Sequence, residues 1–207
     1  MLDLLNKMKS DFYEVERKPL FFKNAQKFKC ADQITQQIPL EELLKSTVYC
    51  LSTPNLVYID YPLFKLFANT DNSTEIVNYI INILVSCINE YGQYEIHINL
   101  KGFTISAAER YRPGIQHFCN QCCRIASHKD VSVIDPNIVT PFTSKLNKMY
   151  IYHTPSVMEH ITRMFSPFMN PTTIHKMIFY PKNTSEQLLE ELLSTKVSSS
   201  LQNEMSV

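Results

Sequence analysis

Apolar residues at 76, 79, 80, 83, 84, 87, 88 and 91 recur with the spacing of one helical face. Asp71-Asn-Ser-Thr precedes this run as a cap, and Gly92 closes it. On either side the period changes to two. Leu56-Val-Tyr-Ile-Asp60, between Pro54 and Pro62, is a β-branched and aromatic run that reads as a strand, and residues 94–100 alternate between apolar and polar as a half-buried strand does. Past Pro113, Ile115, Phe118, Cys119, Cys122, Ile125 and Ala126 share a second helical face. Residues 127–141 have no convincing period and read as a long loop. Residues 148–153 then predict a third strand, and Val157, Ile161, Met164, Phe165 and Phe168 an amphipathic helix stopped by Asn170-Pro171. Residues 174–180 predict a fourth strand and residues 185–193 a last acidic helix.

Strands alternating with helices at this spacing predict an α/β fold with a mostly parallel sheet and flanking helices, because crossover helices are what connect parallel strands. Residues 1–44 have weaker periodicity and a basic bias, which makes them an accessory segment. The folded domain is expected over 45–195, with a serine-rich flexible tail at 196–207.

Composition narrows the chemistry. The chain has 207 residues, 44% of them hydrophobic, which is enough for one core without stapling by metals or disulfides. Lys plus Arg and Asp plus Glu are 20 each, so no overall charge draws the chain to nucleic acid, and none is expected as a partner. Glycine occurs only at 92, 102 and 114, which excludes a three-glycine dinucleotide loop and a GxxxxGK phosphate cradle. The opening residues carry Asp3 and no signal-like apolar run, and the second residue is Leu2, not the glycine that myristoylation needs. Residues 76–91 are interrupted by Asn78, Asn82, Ser86 and Asn89 and are too short for a bilayer crossing. A cytoplasmic location follows as an expectation, with the six cysteines as free thiols and the sequons at Asn72 and Asn183 unused.

Cys119, Cys122 and Cys123, with His117 and His128 nearby, invite a zinc reading, but no second CxxC or HxxxH pair is present to complete four ligands. On an apolar helix face such cysteines behave as small hydrophobes. His97, His153 and His175 come with no GxSxG, HExxH or paired-carboxylate motif. No enzyme activity, metal or cofactor is therefore expected. Arg110, Arg112, Arg124 and Lys129 read either as a basic patch for a lipid phosphate or as a solvated helix face.

Two segments carry a family resemblance. Tyr150-Ile-Tyr-His-Thr-Pro155 followed by Pro167-Phe-Met-Asn-Pro-Thr-Thr-Ile-His-Lys-Met-Ile-Phe179 resembles the stretch of CRAL-TRIO lipid-binding domains in which a strand ending in NAP leads to a helix, then KPFL, a Pro, a Thr and a Lys-Ile strand. Ile98-Asn-Leu-Lys-Gly-Phe103 is similar to that family's DLKGF strand end, in the expected order. The positions that carry the resemblance are Lys101, Gly102, Phe103, Pro155, Pro167, Thr173 and Lys176. Asn99, Ser166 and His153-Thr-Pro depart from the family's usual residues, and no LPxxYGG segment follows.

What the resemblance implies is a single-lobe, CRAL-TRIO-like sheet forming the floor of an apolar pocket, with residues 157–169 as a gate over a lipid or other hydrophobic molecule. Val157, Met158, Ile161, Met164, Phe165 and Phe168 are the residues expected to face the ligand. Each buried lipid methylene contributes about 0.8 kcal/mol, so apolar area would supply most of the binding. The same residues also read as ordinary core packing of an amphipathic helix. Two functions follow: a cytoplasmic lipid-binding or lipid-transfer module touching membranes transiently, or a scaffold of the same fold that binds small GTPases or other proteins with a vestigial pocket.

Overall fold

The computed structural model describes residues 1–16, 23–53, 55–127 and 140–204. Five strands form one sheet in the order β1(Val48–Cys50), β2(Leu56–Asp60), β3(Tyr94–Asn99), β4(Leu146–Thr154) and β5(Met177–Pro181). β2 to β5 run parallel, and β1 pairs antiparallel with β2. This is an α/β architecture with a mostly parallel sheet and flanking helices. A sequential parallel order needs a crossover between each pair of neighbours, and crossovers of one hand place their helices on one face. α4(Tyr61–Phe67) and α5(Ser73–Tyr91) link β2 to β3. α6(Ile105–Ser127) and α7(Pro141–Lys145) precede β4, and α8(Met158–Phe165), a 3-10 turn Ser166–Phe168 and α9(Pro171–His175) precede β5.

Strand alternation sorts the two faces. Val48, Val57, Ile96 and Leu146 point to one side, where they bury against Val77, Ile81 and Leu84 of α5 and Cys122 of α6. Tyr58 and Tyr152, with Tyr49, Tyr150 and Tyr180, face the other side. There Leu188, Leu189, Leu192 and Leu193 of α10(Lys182–Glu204) cover them.

α5 forms as its period predicts. Asn69 and Asn72 each accept a hydrogen bond from the other's backbone N–H, at 3.0 and 2.8 Å, and Gly92 ends the helix at φ 73°. That left-handed conformation costs glycine little, which is why the stop falls there.

Several boundaries differ from the sequence reading. α6 starts at Ile105, not after Pro113, because Thr104 Oγ1 accepts from Ala107 N at 3.2 Å and opens the helix two turns earlier. Pro113 is carried inside it. β5 starts at Met177, not at 174: Asn170 caps the preceding turn through Thr172 N at 2.8 Å, and Pro171 occupies the first helical position. The last helix extends beyond 185–193 at both ends, its backbone remaining helical to Glu204, and residues 205–207 of the expected tail lie outside the described residues. Most of the expected 127–141 loop, residues 128–139, also lies outside them.

The first 44 residues form α1(Leu2–Val15), α2(Lys23–Gln37) and most of α3(Leu40–Thr47). Leu5, Cys30, Ile34, Leu43 and Leu44 are buried in one cluster with Leu63, Leu66 and Phe67 of α4 and Ile76 of α5. The segment read as accessory thus shares a core with the crossover from β2 to β3.

Candidate functional site

One face of the sheet carries an apolar recess. Tyr94, Ile96, Leu146 and Met149 form its floor, and Phe118, Cys119 and Cys122 of α6 form a wall. Phe168, Met169, Asn170 and Thr173 close it from the turn and helix that follow α8. Its far end is set by α7, which a reciprocal cap holds in place: Thr140 N donates to Thr143 Oγ1 at 2.8 Å, and Thr143 N donates to Thr140 Oγ1. The Tyr94 hydroxyl donates to the Phe142 carbonyl, and burial pushes its pKa above the usual phenol range. The enclosed space is about 90 Å³. Pockets that hold drug-sized molecules measure about 300–1,000 Å³, so the recess as it stands is too small for one.

Of the six residues expected to face a ligand, Phe168 lines this recess. Ile161 and Phe165 are 2% and 7% exposed and pack with Ala108 on α6. Met158 and Met164 lie beside them in the same cluster, and Val157 is exposed. The expected gate therefore docks on α6 through its own apolar stripe, and the turn after it covers the recess. Arg112 stands over the Phe168 ring at 5.5 Å.

The motif positions have mainly structural duties. Gly102 turns the chain at φ 80°, and Phe103 packs edge-on to Tyr61 at 4.8 Å. Lys101 pairs with Glu186 at 3.2 Å on the surface. Pro155 O accepts from Met158 N at 2.9 Å to start α8, and Pro167 lies in the 3-10 turn. Thr173 lines the recess. Lys176 donates from Nζ to Thr143 O at 2.9 Å and to Leu146 O, tying α7 to the start of β4. Replacing Lys176 by Met leaves two half-buried carbonyls unpaired, and chemical denaturation should show a loss of about 1–3 kcal/mol. A loss below about 0.5 kcal/mol would mean that water serves those carbonyls equally well.

The opposite face is polar near the strand ends. His97 Nδ1 lies 3.0 Å from the Tyr152 hydroxyl, and its ring stacks on Tyr150 at 4.7 Å. Asn99 donates to Asp60 at 3.1 Å and lies 3.0 Å from His153 Nδ1. His153 takes a positive φ of 52°, where the β4–β5 register shifts, and its backbone N–H donates to Ser185 Oγ at 2.7 Å. Burial pushes the His97 pKa down to about 4 and that of Asp60 up to about 6, the latter against the Asn99 hydrogen bond and the Lys65 charge.

These two shifts act in opposite senses on stability. The contribution of neutral His97 is complete above about pH 6.5 and is lost as the pH falls towards its folded value. That of protonated Asp60 is present below about pH 4 and is lost as the pH rises towards its own folded value. Each is worth up to about 3 kcal/mol, so they largely offset one another in between. Asp60→Asn removes one arm. Its Tm, followed from about pH 7 to about pH 4, should fall more steeply than that of the wild type. Parallel curves would show that Asp60 titrates as in the unfolded chain.

Of the residues weighed for metal binding, only part lies among the described residues. Cys119 and Cys122 line the apolar recess, the side chain of Cys123 and all of His128 lie outside what is described, and no group of three His, Cys, Asp or Glu suited to a metal occurs among the described residues. Arg124 (side chain) and Lys129 also fall outside. Among the described residues, no helix is long and apolar enough to cross a membrane. The reading from sequence missed Tyr94, Phe142, Thr140 and Thr143 as parts of the site. Thr140-Pro141 carried the signal, a cap residue followed by proline at the first helical position.

The site is an apolar recess between an open, mostly parallel sheet, α6 and the turn after α8, an arrangement of the α/β class. The family model of the CRAL/TRIO domain matches residues 138–201, from the end of the undescribed segment through α7, β4, α8, α9 and β5 into α10. This match supports the resemblance carried by Tyr150-Ile-Tyr-His-Thr-Pro155 and the Pro167–Phe179 segment, and the α/β sheet agrees with it. The theme of that family is the binding of lipophilic small molecules. A search of curated proteins finds no match.

Proposed function

We propose that the protein is a non-enzymatic lipid-binding module, cytoplasmic and transiently membrane-associated, that admits a hydrophobic ligand into the recess beside the sheet. The observation that carries this reading is the apolar recess closed by Phe168 and Met169, within the segment that matches the family model. With only about 90 Å³ enclosed, loading requires α8 and the turn after it to move away from the recess. Two features favour such a movement. α8 has two buried side chains, Ile161 and Phe165, and these cluster with Ala108 of α6. The turn adds no fully buried residue of its own. Displacing the turn would open the space above Ile96 and Met149 without breaking the sheet.

Native mass spectrometry of the purified full chain tests the proposal. Near-stoichiometric co-purifying lipid, released by organic solvent, is the expected result. A protein that stays ligand-free after incubation with mixed lipid extracts would refute it.

The small volume of the recess favours a second reading, in which the protein's own side chains fill the pocket permanently and the fold serves as a scaffold for small GTPases or other proteins. Capture of a purified GTPase by a lipid-free protein would support that reading over the first.

A further inference from the structure

A second cleft, sharing no lining residue with the apolar recess, lies between α1, α2, α4 and the turn that leads into α6. It encloses about 240 Å³. Lys9, Lys27, Lys65 and Arg110 line it, with Tyr13 and Tyr61 as aromatic walls, and no Asp or Glu is among its described lining residues. In a chain whose acidic and basic residues balance at 20 each, four cations around one recess are not a matter of composition.

Two of them lie over aromatic rings, Lys65 Nζ 5.7 Å from the Tyr61 centroid and Arg110 4.9 Å from that of Tyr111. Lys9, Lys65 and Arg110 make no ion pair with any described residue. Arg110 holds Asn24 Oδ1 from Nη1 at 3.3 Å, yet its Nε is buried with no hydrogen-bond partner among the described residues. A buried donor left unpaired costs about 1–3 kcal/mol, and folds seldom carry one at a guanidinium without a use for it. Lys65 is half-buried, and burial together with the positive charge of Lys9 lowers its pKa, with Asp60 the acid that opposes the fall. The two lysines thus repel one another in the absence of a counter-anion.

We infer that this cleft binds a phosphate-bearing group through Lys9, Lys65 and Arg110, with Lys27 at its margin. Phosphate matches the site because it presents several strong acceptors to donors converging from separate elements. The volume lies below that of drug-sized pockets and suits a compact phosphorylated polyol, whose ring can lie against Tyr13 and Tyr61. The same chemistry is offered by a soluble phosphate ester and by a phosphorylated inositol headgroup at a membrane surface.

Isothermal titration of the full chain with sodium pyrophosphate and with inositol trisphosphate tests the inference. Co-sedimentation with phosphatidylcholine vesicles, with and without phosphatidylinositol bisphosphate, separates the two sources. A single saturable site is expected, weakening as salt rises. Lys65→Gln and Lys9→Gln should each weaken it roughly tenfold or more, while Lys148→Gln, which removes an exposed cation from β4, leaves it unchanged. Lys9→Gln also guards against Lys65→Gln acting through misfolding. Binding of the soluble probes without vesicle recruitment supports a free phosphate ester. Recruitment only by the phosphoinositide vesicles, competed by inositol trisphosphate, supports the headgroup. The inference fails if no probe binds saturably, or if Lys148→Gln weakens binding as much as Lys9→Gln does.

Discussion

Phe168→Asp should remove lipid loading while leaving the fold standing, whereas Phe165→Asp, three residues earlier, should cost the fold itself. Phe168 is half-buried, lines the recess and lies under Arg112. A carboxylate there sits within reach of that guanidinium and of solvent, so the stability loss is about 1–2 kcal/mol. For a hydrophobic ligand the same carboxylate faces an apolar cavity, where an unpaired charge costs several kcal/mol, and affinity should drop at least about 100-fold. Phe165 is buried between α8 and α6 with Ile161 and Ala108. Its loss costs about 3–5 kcal/mol as a truncation, and placing a charge there costs more, against a total stability of about 5–15 kcal/mol. Thermal melts beside native mass spectra of both variants separate the two effects. If Phe168→Asp still carries lipid, the recess is not where the ligand sits.

Leu5→Ala should destabilise the protein by about 2–5 kcal/mol, the cost of a cavity in a packed core. Leu5 is fully buried, against partners that include Leu43, Leu63 and Phe67, although it lies only five residues into the chain. A detachable N-terminal segment would show a change within about 0.5 kcal/mol, and urea unfolding distinguishes the two outcomes. The result bears on function as well. Lys9 and Lys27 line the basic cleft from α1 and α2, so the cleft exists only while those helices remain docked.

The sheet was legible where alternation and flanking prolines were strong. Residues 56–60 form a strand as read, the strand read over 94–100 runs from 94 to 99, and the eight-position stripe of α5 is a helix ended by Gly92. Elements whose signal lay in capping were misread. Pro113 looks like a boundary in the sequence although Thr104 opens the helix upstream, and residues 174–176 have a strand-like pattern although Asn170-Pro171 starts a turn. The N-terminal helices escaped notice because Leu5, Cys30 and Ile34 bury themselves against α4 across a long sequence separation, which no local period records. The site was half legible for a related reason. A stripe of Ile161, Met164, Phe165 and Phe168 announces an apolar face but not what it faces, and that face divides between α6 and the recess. Four cations spread over residues 9, 27, 65 and 110 had no motif to join them.

The central claim is that a hydrophobic ligand occupies the space above Ile96 and Met149. Methyl NMR of the methionine-labelled chain, titrated with a monomeric lipid, tests it most directly. Met149 and Met169 line the recess, whereas Met8 packs among the N-terminal helices. Saturable shifts at Met149 and Met169 with Met8 unmoved are the expected result. Unchanged Met149 and Met169 signals at lipid saturation, or shifts confined to exposed Met1, would contradict the claim.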